Sequence, residues 1–356
     1  MRYVCFVVPD LDFAGHARQV SLVASGLSRA GWAVGVHSLA GDGPLGPTIC
    51  AAGIPVERPT GAAANTHRSW FVLRRAIPYP DRGVVHAFGL RVLRRLAVAT
   101  LGSKRPRIIL SLTGRERLSW FDRRCLRVVS RILVPHDEAA DALTRRGVGS
   151  AHISVVPYAV SPAPPPADRT DLCRTHGLPS TAKLIVTAGR MDARNDLFDA
   201  VWGFEFLRYV DTDVRLLVIG DGPERDRLER NARALAPDGS RVHFLGGRID
   251  VPALFAAADL VLVPHRTGGV NVALEAMAAA RPIVAADTVD LRTLICDGDT
   301  GLLVPAGKPP EVARALQRLL VDADWRCRLG TSARKYALDQ HSVEKVVSVL
   351  EPMYWS

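Results

Sequence analysis

The apolar residues of the chain follow two alternating patterns. Short runs rich in Val, Ile and Leu predict buried β-strands, and longer stretches with an apolar residue every three or four positions predict amphipathic helices. The strand pattern occurs at Tyr3–Val8, Ala33–Ser38, Val84–His86, Arg107–Leu112, Arg131–Val134 and Ile153–Val156, and again at Lys183–Ala188, Val214–Ile219, Val242–Leu245, Leu260–Val263, Ile283–Ala286 and Leu302–Val304. Strands that alternate with helices predict an α/β fold with two doubly wound, Rossmann-like units.

A proline-rich stretch interrupts this alternation near the middle of the chain. It begins with the residues SPAPPPADRT, and such a composition predicts a stiff, extended linker. We therefore predict an N-terminal domain over residues 1–160, a linker over 161–180, a C-terminal domain over 181–338 and a terminal helix over 339–356. Two such domains would flank a cleft, where open α/β sheets bind ligands.

The charge is distributed unevenly over these parts. The 356-residue chain has a net charge of +10, and residues 1–160 carry 22 Lys and Arg against 10 Asp and Glu. A basic half favours an anionic partner, such as a membrane face or a phosphorylated acceptor. The sequence lacks interleaved stacking aromatics and a recognised nucleic-acid-binding motif, which argues against a nucleic-acid partner. No apolar run is long enough to span a membrane. The first residues resemble a strand rather than a signal peptide, and the scattered cysteines favour the cytoplasm.

One basic segment could lie on a membrane. Within Arg117–Val134, apolar residues recur at near-helical spacing, arginines from Arg117 to Arg131 occupy the other sectors, and Trp120 lies near the start. A basic amphipathic helix with aromatic residues binds anionic lipid at the inner membrane face. The alternative interpretation is a solvated, arginine-rich helix face, and the sequence leaves both open.

Three motifs in the second half could bind a ligand. In Thr187–Asp196, a Gly-Arg pair follows a strand, and the planar guanidinium of Arg190 suits a diphosphate, although it could also merely solvate a loop. In Val218–Leu228, the turn Gly220–Pro223 either faces the ligand or only joins a strand to a helix.

The third motif, Leu260–Ala280, is the strongest of the three. Gly268 and Gly269 precede a helix that we expect to begin near Val270, and the free amides of a helix N-terminus attract anions. Glu275 follows about one turn later, where a carboxylate can accept the hydroxyls of a ribose. The alanine-rich face of the same helix predicts close packing on the sheet, and both interpretations can hold together.

In this order, the three motifs resemble the donor-binding domain of the retaining glycosyltransferase family 4, which has the GT-B fold. The resemblance continues through VHFLGGRIDVPALFAAADLVLVP, RPIVAAD and DGDTGLLVPAG, and covers most of residues 183–321. Weaker similarity lies at Gly15–Gln19, Val85–Gly89 and Ile153–Val160. The last residues resemble the terminal helix of the family, which returns to the N-terminal domain.

The resemblance implies transfer of a sugar from a nucleoside diphosphate to an acceptor hydroxyl of a glycan, lipid-linked or small molecule, with anomeric retention. UDP and GDP are the expected nucleotides. A cofactor or metal is not expected, since Arg190 and a helix N-terminus can carry the phosphates; three Asp-x-Asp strings are interpreted as loop or helix-boundary acids. The implied donor-binding residues are Gly15, Arg190, Arg194, Asn195, Arg248, Ile249, Gly268, Gly269, Val270, Asn271 and Glu275.

The sequence departs from the family at five places. Asn195 replaces a lysine that binds the donor, Thr267 replaces the first of two glutamates, Thr113 replaces a histidine, His265 replaces a serine, and Val289-Asp290 replaces a Gly-Gly pair. The candidate catalytic residues are therefore Arg190, Thr267 and His265. The departures leave two hypotheses: a transferase with an altered donor preference, and a degenerate GT-B protein that binds a sugar or nucleotide without catalysis.

Overall fold

The computed structural model describes residues 2–13, 15–41, 43–57, 83–100, 106–193, 195–209, 213–235 and 241–355. Arg194, one of the predicted donor-binding residues, lies outside these ranges. The chain divides into two compact units. The first contains Met1–Ala159 and Val343–Ser356, and the second contains Val160–Ser342.

The first unit is built on a parallel sheet. Its strands are β1 (Tyr3–Val8), β2 (Ala33–Ser38), β3 (Val56–Glu57), β4 (Val84–Phe88), β5 (Arg107–Ser111), β6 (Arg131–Val134) and β7 (Ile153–Val155). They pair in the order β3-β2-β1-β4-β5-β6-β7. The helices are α1 (Gly15–Arg29), α2 (Gly46–Ala51), α3 (Gly89–Ala99), α4 (Trp120–Cys125), α5 (Asp137–Arg145) and, from the end of the chain, α14 (Val343–Trp355).

Both faces of this sheet are covered, and β1 shows why its sequence is apolar throughout. Val4, Phe6 and Val8 lie in one hydrophobic cluster with α1 and α14. Cys5 and Val7 point the other way, into a cluster with α3 and α5. Because side chains alternate along a strand, a strand buried on both faces needs a continuous apolar run.

The second unit repeats this design. Its strands are β8 (Lys183–Ala188), β9 (Val214–Ile219), β10 (Val242–Gly246), β11 (Leu260–Val263), β12 (Ile283–Ala286) and β13 (Leu302–Val304). They pair in parallel in the order β10-β9-β8-β11-β12-β13. The helices are α6 (Arg169–Thr175), α7 (Leu197–Glu205), α8 (Arg225–Leu235), α9 (Val251–Ala257), α10 (Val270–Ala278), α11 (Val289–Arg292), α12 (Pro309–Val321) and α13 (Ala323–His341).

The two doubly wound parallel sheets confirm the predicted fold class. The helix α6 lies within the stretch that composition predicts to be a linker, and Asp168 caps it by accepting hydrogen bonds from the amides of Thr170 and Asp171. The side chain of Arg169 then donates to Asp259 Oδ2 at 2.8 Å. These polar contacts fold part of the stretch onto the second unit, and proline content alone does not predict them.

The prediction of one amphipathic helix between Arg117 and Val134 is wrong. Helix α4 ends at Cys125, a short 3₁₀ turn follows, and β6 begins at Arg131. Tertiary pairing decides the outcome, because Ile109, Leu110 and Ser111 of β5 pair with Arg131, Ile132 and Leu133. A spacing near the helical period can therefore arise where a short helix and a buried strand adjoin.

Candidate functional site

The carboxyl end of β8 lies where the strand order of the second sheet reverses. β9 pairs with one side of β8 and β11 pairs with the other. In open parallel sheets, ligands bind at the carboxyl ends of the strands at such a point. The three predicted motifs follow these three strands, so the topology brings them to one edge of the second unit.

The glycine turn after β9 supports the loop that carries Arg190. A Cβ atom on Gly220 would lie 1.9 Å from the carbonyl oxygen of Gly189, and one on Gly222 would lie 2.4 Å from that of Met191. The amide of Met191 donates to the carbonyl of Asp221 at 2.9 Å. Both turn glycines have positive φ angles, 131° and 158°. Close packing of two backbones therefore explains these glycines, and the turn acts as a support.

His265 joins the Arg190 loop to the glycine turn after β11. A Cβ atom on Gly189 would lie 2.6 Å from His265 Nε2, and one on Gly269 would lie 3.0 Å from His265 Cβ. The imidazole is 3% exposed. It therefore fills the space between the two backbone segments that the sequence motifs predict to be neighbours.

Burial also sets the charge of this imidazole. It lowers the pKa of His265 to about 4, and the carboxylates of Asp192 and Asp196 oppose the shift only in part. Nδ1 is buried without a hydrogen-bond partner among the described residues. His265 is therefore neutral at pH 7. In this structure it packs between the Arg190 loop and the glycine turn.

Arg190 presents its guanidinium to solvent at this edge. Its side chain is 62% exposed, and Nε lies 3.9 Å from Asp192 Oδ2. The side-chain amide of Asn195 donates to the carbonyl oxygen of Arg190 at 2.7 Å. Asn195 thus fixes the backbone of the loop, while the cation of Arg190 remains accessible to an anionic ligand.

The third motif forms the turn and helix that the sequence predicts. Gly268 and Gly269 have φ angles of 76° and 80°, and α10 begins at Val270. The amide of Gly268 donates to Asp290 Oδ2 at 2.7 Å. This amide is already bonded within the protein, so the predicted contact between the turn and ligand oxygens remains a prediction for Gly269 and Val270.

A further group of charges lies next to this turn, and it includes two residues of the motifs to which the sequence assigns no role. Arg266 binds Asp196, which caps α7 with a positive φ angle of 50°, and its Nη2 lies 3.5 Å from Asp199 Oδ2. Burial, followed by the hydrogen bond and charge of Asp196, raises the pKa of Asp199 to about 6. The pairs join the start of α7 to the loop after β11, and they link residues about 70 positions apart.

The remaining donor-site candidates of this unit lie in the loops after β10 and β11 and on α10. Thr267 is exposed, and Asn271 and Glu275 are half-buried on α10. After β10, Arg248 forms a two-fold ion pair with Asp250, with Nε–Oδ1 and Nη2–Oδ2 distances of 2.8 and 2.7 Å. The neighbouring Ile249 is 58% exposed, which leaves its side chain free to contact a flat ring.

Comparison with known proteins identifies the second unit. Residues 182–322 match the family described as "Glycosyl transferases group 1". Over these residues the second unit is similar to the group 1 glycosyltransferases. The chain is 26% identical over 307 residues to alpha-D-kanosaminyltransferase of Streptomyces kanamyceticus, and the match covers 84% of this chain and 78% of the relative.

Other relatives match the chain over a smaller share of their length. The D-inositol 3-phosphate glycosyltransferase of Xylanimonas cellulosilytica is 35% identical over 211 residues, which is 56% of this chain and half (50%) of the relative. The structure of Anabaena HepE in complex with UDP and glucose has a TM-score of 0.83 at 19% identity, and covers 99% of this chain and 98% of that one. The predicted GT-B fold is confirmed.

In the first unit, the candidate residues have different surroundings. Gly15 is the first residue of α1, and His16 Nε2 lies 3.3 Å from Asp10 Oδ1. Thr113 is exposed and donates through its amide to Glu116 at 2.8 Å. His86 is buried between Tyr354 and Ser111, with hydrogen bonds of 2.7 and 2.8 Å. His86 therefore anchors α14 to the sheet.

Two negative findings apply to the described ranges of the chain. They contain no cluster of three or more His, Cys, Asp or Glu side chains that could hold a metal ion. They also contain no helix that is both long and apolar enough to span a bilayer.

Proposed function

We propose that this chain is a glycosyltransferase that moves a sugar from a nucleoside diphosphate to an acceptor hydroxyl, with retention of the anomeric configuration. The observation that carries the proposal is the position of His265, which contacts both the Arg190 loop and the glycine turn at the switch point of the second sheet. The named transferases among the relatives favour this over a degenerate binding module.

The leaving diphosphate is the group that Arg190 would bind. As the bond to the sugar breaks, negative charge grows on the phosphate oxygens, and a positioned cation stabilises that charge. The exposed guanidinium of Arg190 can engage two of these oxygens at once. The side-chain amide of Asn195 donates to the carbonyl oxygen of Arg190 and fixes the loop. Position 195 therefore contributes by positioning Arg190, and not by a charge of its own.

The nucleoside would extend from this point along the same sheet edge. Glu275, on α10, would accept the two adjacent hydroxyls of the ribose, and the peptide of Arg248 and Ile249 would face the base. UDP and GDP are the nucleotides we propose, and the HepE structure holds UDP with glucose. Charge stabilisation by Arg190 and the amides of α10 requires no resident metal.

The experiment is a binding and turnover screen of the full chain. UDP-, GDP- and ADP-sugars are titrated by calorimetry, and release of the nucleoside diphosphate is then followed with water and with a panel of hydroxyl acceptors. Binding with release supports the proposal, and NMR of the product decides retention. Binding without release under every acceptor would support the degenerate alternative. Absence of binding by every donor would refute the proposal.

We also propose a peripheral contact with anionic lipid through α4 and its flanks. Trp120 is 77% exposed and Phe121 is 44% exposed. Exposed arginines surround them at positions 117, 123, 124 and 127. Beneath them, Asp122 is fully buried and held by Arg94 in a two-fold ion pair of 2.6 and 2.9 Å. A fixed aromatic and basic surface of this kind suits an interface with acidic head groups.

Vesicle flotation tests the lipid contact. The chain should bind phosphatidylglycerol vesicles at low salt and should not bind neutral phosphatidylcholine vesicles. The variants W120S/F121S and R123E/R124E should each lose most binding. The control R227E/R230E makes the same charge change on α8 of the second unit and should keep it. Equal binding by R123E/R124E and this control would refute the contact.

A further inference from the structure

Two carboxylates and one guanidinium join two loops of the candidate donor site. Arg266 Nε donates to Asp196 Oδ2, and Arg266 Nη2 lies 3.5 Å from Asp199 Oδ2. Asp196 ends the loop after β8 and caps α7, whereas Arg266 lies in the loop after β11. Since β8 and β11 are paired neighbours, the ion pairs connect the carboxyl ends of two adjacent strands.

Both carboxylates are largely buried and depend on this cation. The side chains of Asp196 and Asp199 are 13% and 12% exposed, and that of Arg266 is 53% exposed. Within the described ranges, Arg266 is the cation that pairs with either carboxylate. A buried charge that loses its partner is strongly destabilising, so separation of the two loops would be opposed by the unpaired carboxylates. An exposed ion pair, such as that of Arg314 with Glu311, resists separation far less.

The ion pairs act on Arg190 through a short segment of backbone. Asp196 directly follows Asn195, whose side-chain amide donates to the carbonyl oxygen of Arg190 at 2.7 Å. The backbone amide of Asn195 also donates to the carbonyl oxygen of Asp192 at 3.2 Å, which closes a tight turn. A shift of Asp196 therefore moves the residue that fixes Arg190, and the bond to Arg266 limits that shift.

A third loop encloses the same guanidinium. A Cβ atom on Gly307, after β13, would lie 3.1 Å from Arg266 Nη2 and 3.8 Å from Asp199 Oδ2. His265, the residue before Arg266, packs between the loops after β8 and β11. These two loops are thus joined twice, by a neutral ring that fills space and by ion pairs that attract.

We propose that Asp196, Asp199 and Arg266 are positioning residues of the donor site, whose ion pairs hold the Arg190 loop in place for a nucleotide. The inference rests on the proposed function and adds a structural requirement to it. Arg266 acts through Asp196 and not by touching the nucleotide, because two buried carboxylates already bind its guanidinium. The competing explanations are that Arg266 binds phosphate directly and that the ion pairs only stabilise the fold.

The test uses a change whose effects on charge and on position have opposite signs. Loss of the Asp196 carboxylate removes a negative charge near the proposed diphosphate, so electrostatics alone predicts tighter nucleotide binding by D196N. Loss of the ion pair predicts weaker binding by the same variant, because the Arg190 loop can shift. Dissociation constants for UDP and GDP are measured by calorimetry on the full chain, well below the melting temperature of each variant.

A matched control separates position from stability. Asp259 lies directly before β11, at the opposite end of that strand, and its Oδ2 accepts from Arg169 Nη2 at 2.8 Å. This ion pair is also partly buried and also joins distant parts of the second unit. D259N should therefore lower the melting temperature and leave nucleotide binding unchanged.

The expected result is weaker binding wherever the contact is lost. D196N and R266Q should each bind nucleotide about tenfold more weakly, since a displaced loop no longer places its cation well. D199N should have a smaller effect, because its ion pair is the longer one. The double variant D196N/R266Q should bind no more weakly than R266Q, because both changes remove one contact. R266K keeps the charge and should recover part of the loss.

Three outcomes would overturn the inference. Tighter binding by D196N together with weaker binding by R266Q would make Arg266 a direct phosphate ligand. Lower melting temperatures of D196N and R266Q with unchanged nucleotide binding would make the ion pairs purely structural. Additive losses in D196N/R266Q would show that the two residues act separately. Failure of the proposed function is a distinct result, because wild type then binds neither UDP nor GDP, and the inference fails with it.

Discussion

Substituting Gly189 by Ala tests the contact on which the donor site depends. The φ angle of Gly189 is outside the left-handed region, so alanine is limited by space alone. The new Cβ would lie 2.6 Å from Nε2 and 3.2 Å from Cε1 of His265, about one ångström closer than ordinary contact. The imidazole is buried and cannot simply swing into solvent. Overpacking of this kind costs about 1–3 kcal/mol.

The assay is a double-mutant cycle with His265→Ser, which removes the ring. In the second unit, each kcal/mol should lower the melting temperature by about 2–4 °C. G189A should lose stability and bind nucleotide more weakly, since the Arg190 loop must shift. H265S should lose stability through the cavity that it leaves. In G189A/H265S the losses should be less than additive, because each change relieves the other. Strict additivity, or a G189A variant as stable as wild type, would refute the described packing.

Three further predictions concern single side chains. Arg190→Ala should reduce donor affinity or turnover by about 2–5 kcal/mol, whereas an effect below tenfold in calorimetry or nucleotide release would argue against its role. Tyr354→Phe should cost about 1–3 kcal/mol in unfolding, because it leaves buried His86 without the hydroxyl at Nδ1. Burial lowers the pKa of His86 to about 3, so the unfolded chain, with a histidine pKa near 6.5, binds more protons between these values. The free energy of unfolding should therefore fall as pH drops below about 6.5, and this slope should be shallower in His86→Asn; an unchanged slope would contradict the assignment.

The strand positions were predictable from the sequence because both sheets are buried on both faces. Runs such as Leu260–Val263 are apolar at every position, and burial of every residue in that strand agrees with the pattern. The short strand β3 (Val56–Glu57) is not predicted, because two residues at a sheet edge are too few to show an apolar pattern. The segment Arg117–Val134 gave a wrong prediction because its pattern is long but composite. The apolar residues of a short helix and of the following strand together have a spacing close to that of one helix.

Only those features of the site that lie within one loop between a strand and the next helix could be predicted from the sequence. The turn at Gly268 and Gly269 and the start of α10 follow from local sequence, because glycine permits positive φ and a helix must begin after it. The contacts between connections do not follow. Arg266 with Asp196, and Asp290 with Gly268, join residues that only the order of the strands brings together. A doubly wound sheet predicts which loops meet, but not which atoms.

The departures from the family pattern take on a different meaning in this setting. Read alone, a histidine in place of a serine and an aspartate in place of a glycine look like decay of a donor site. In the structure, His265 fills the space between two ligand-facing loops, and Asp290 holds the turn of one of them. If the donor site were no longer under selection, cavities and unpaired charges would accumulate there. Here His265 packs between the loops and Asp290 bonds to the backbone of the turn, which supports the proposed transfer activity over the degenerate alternative.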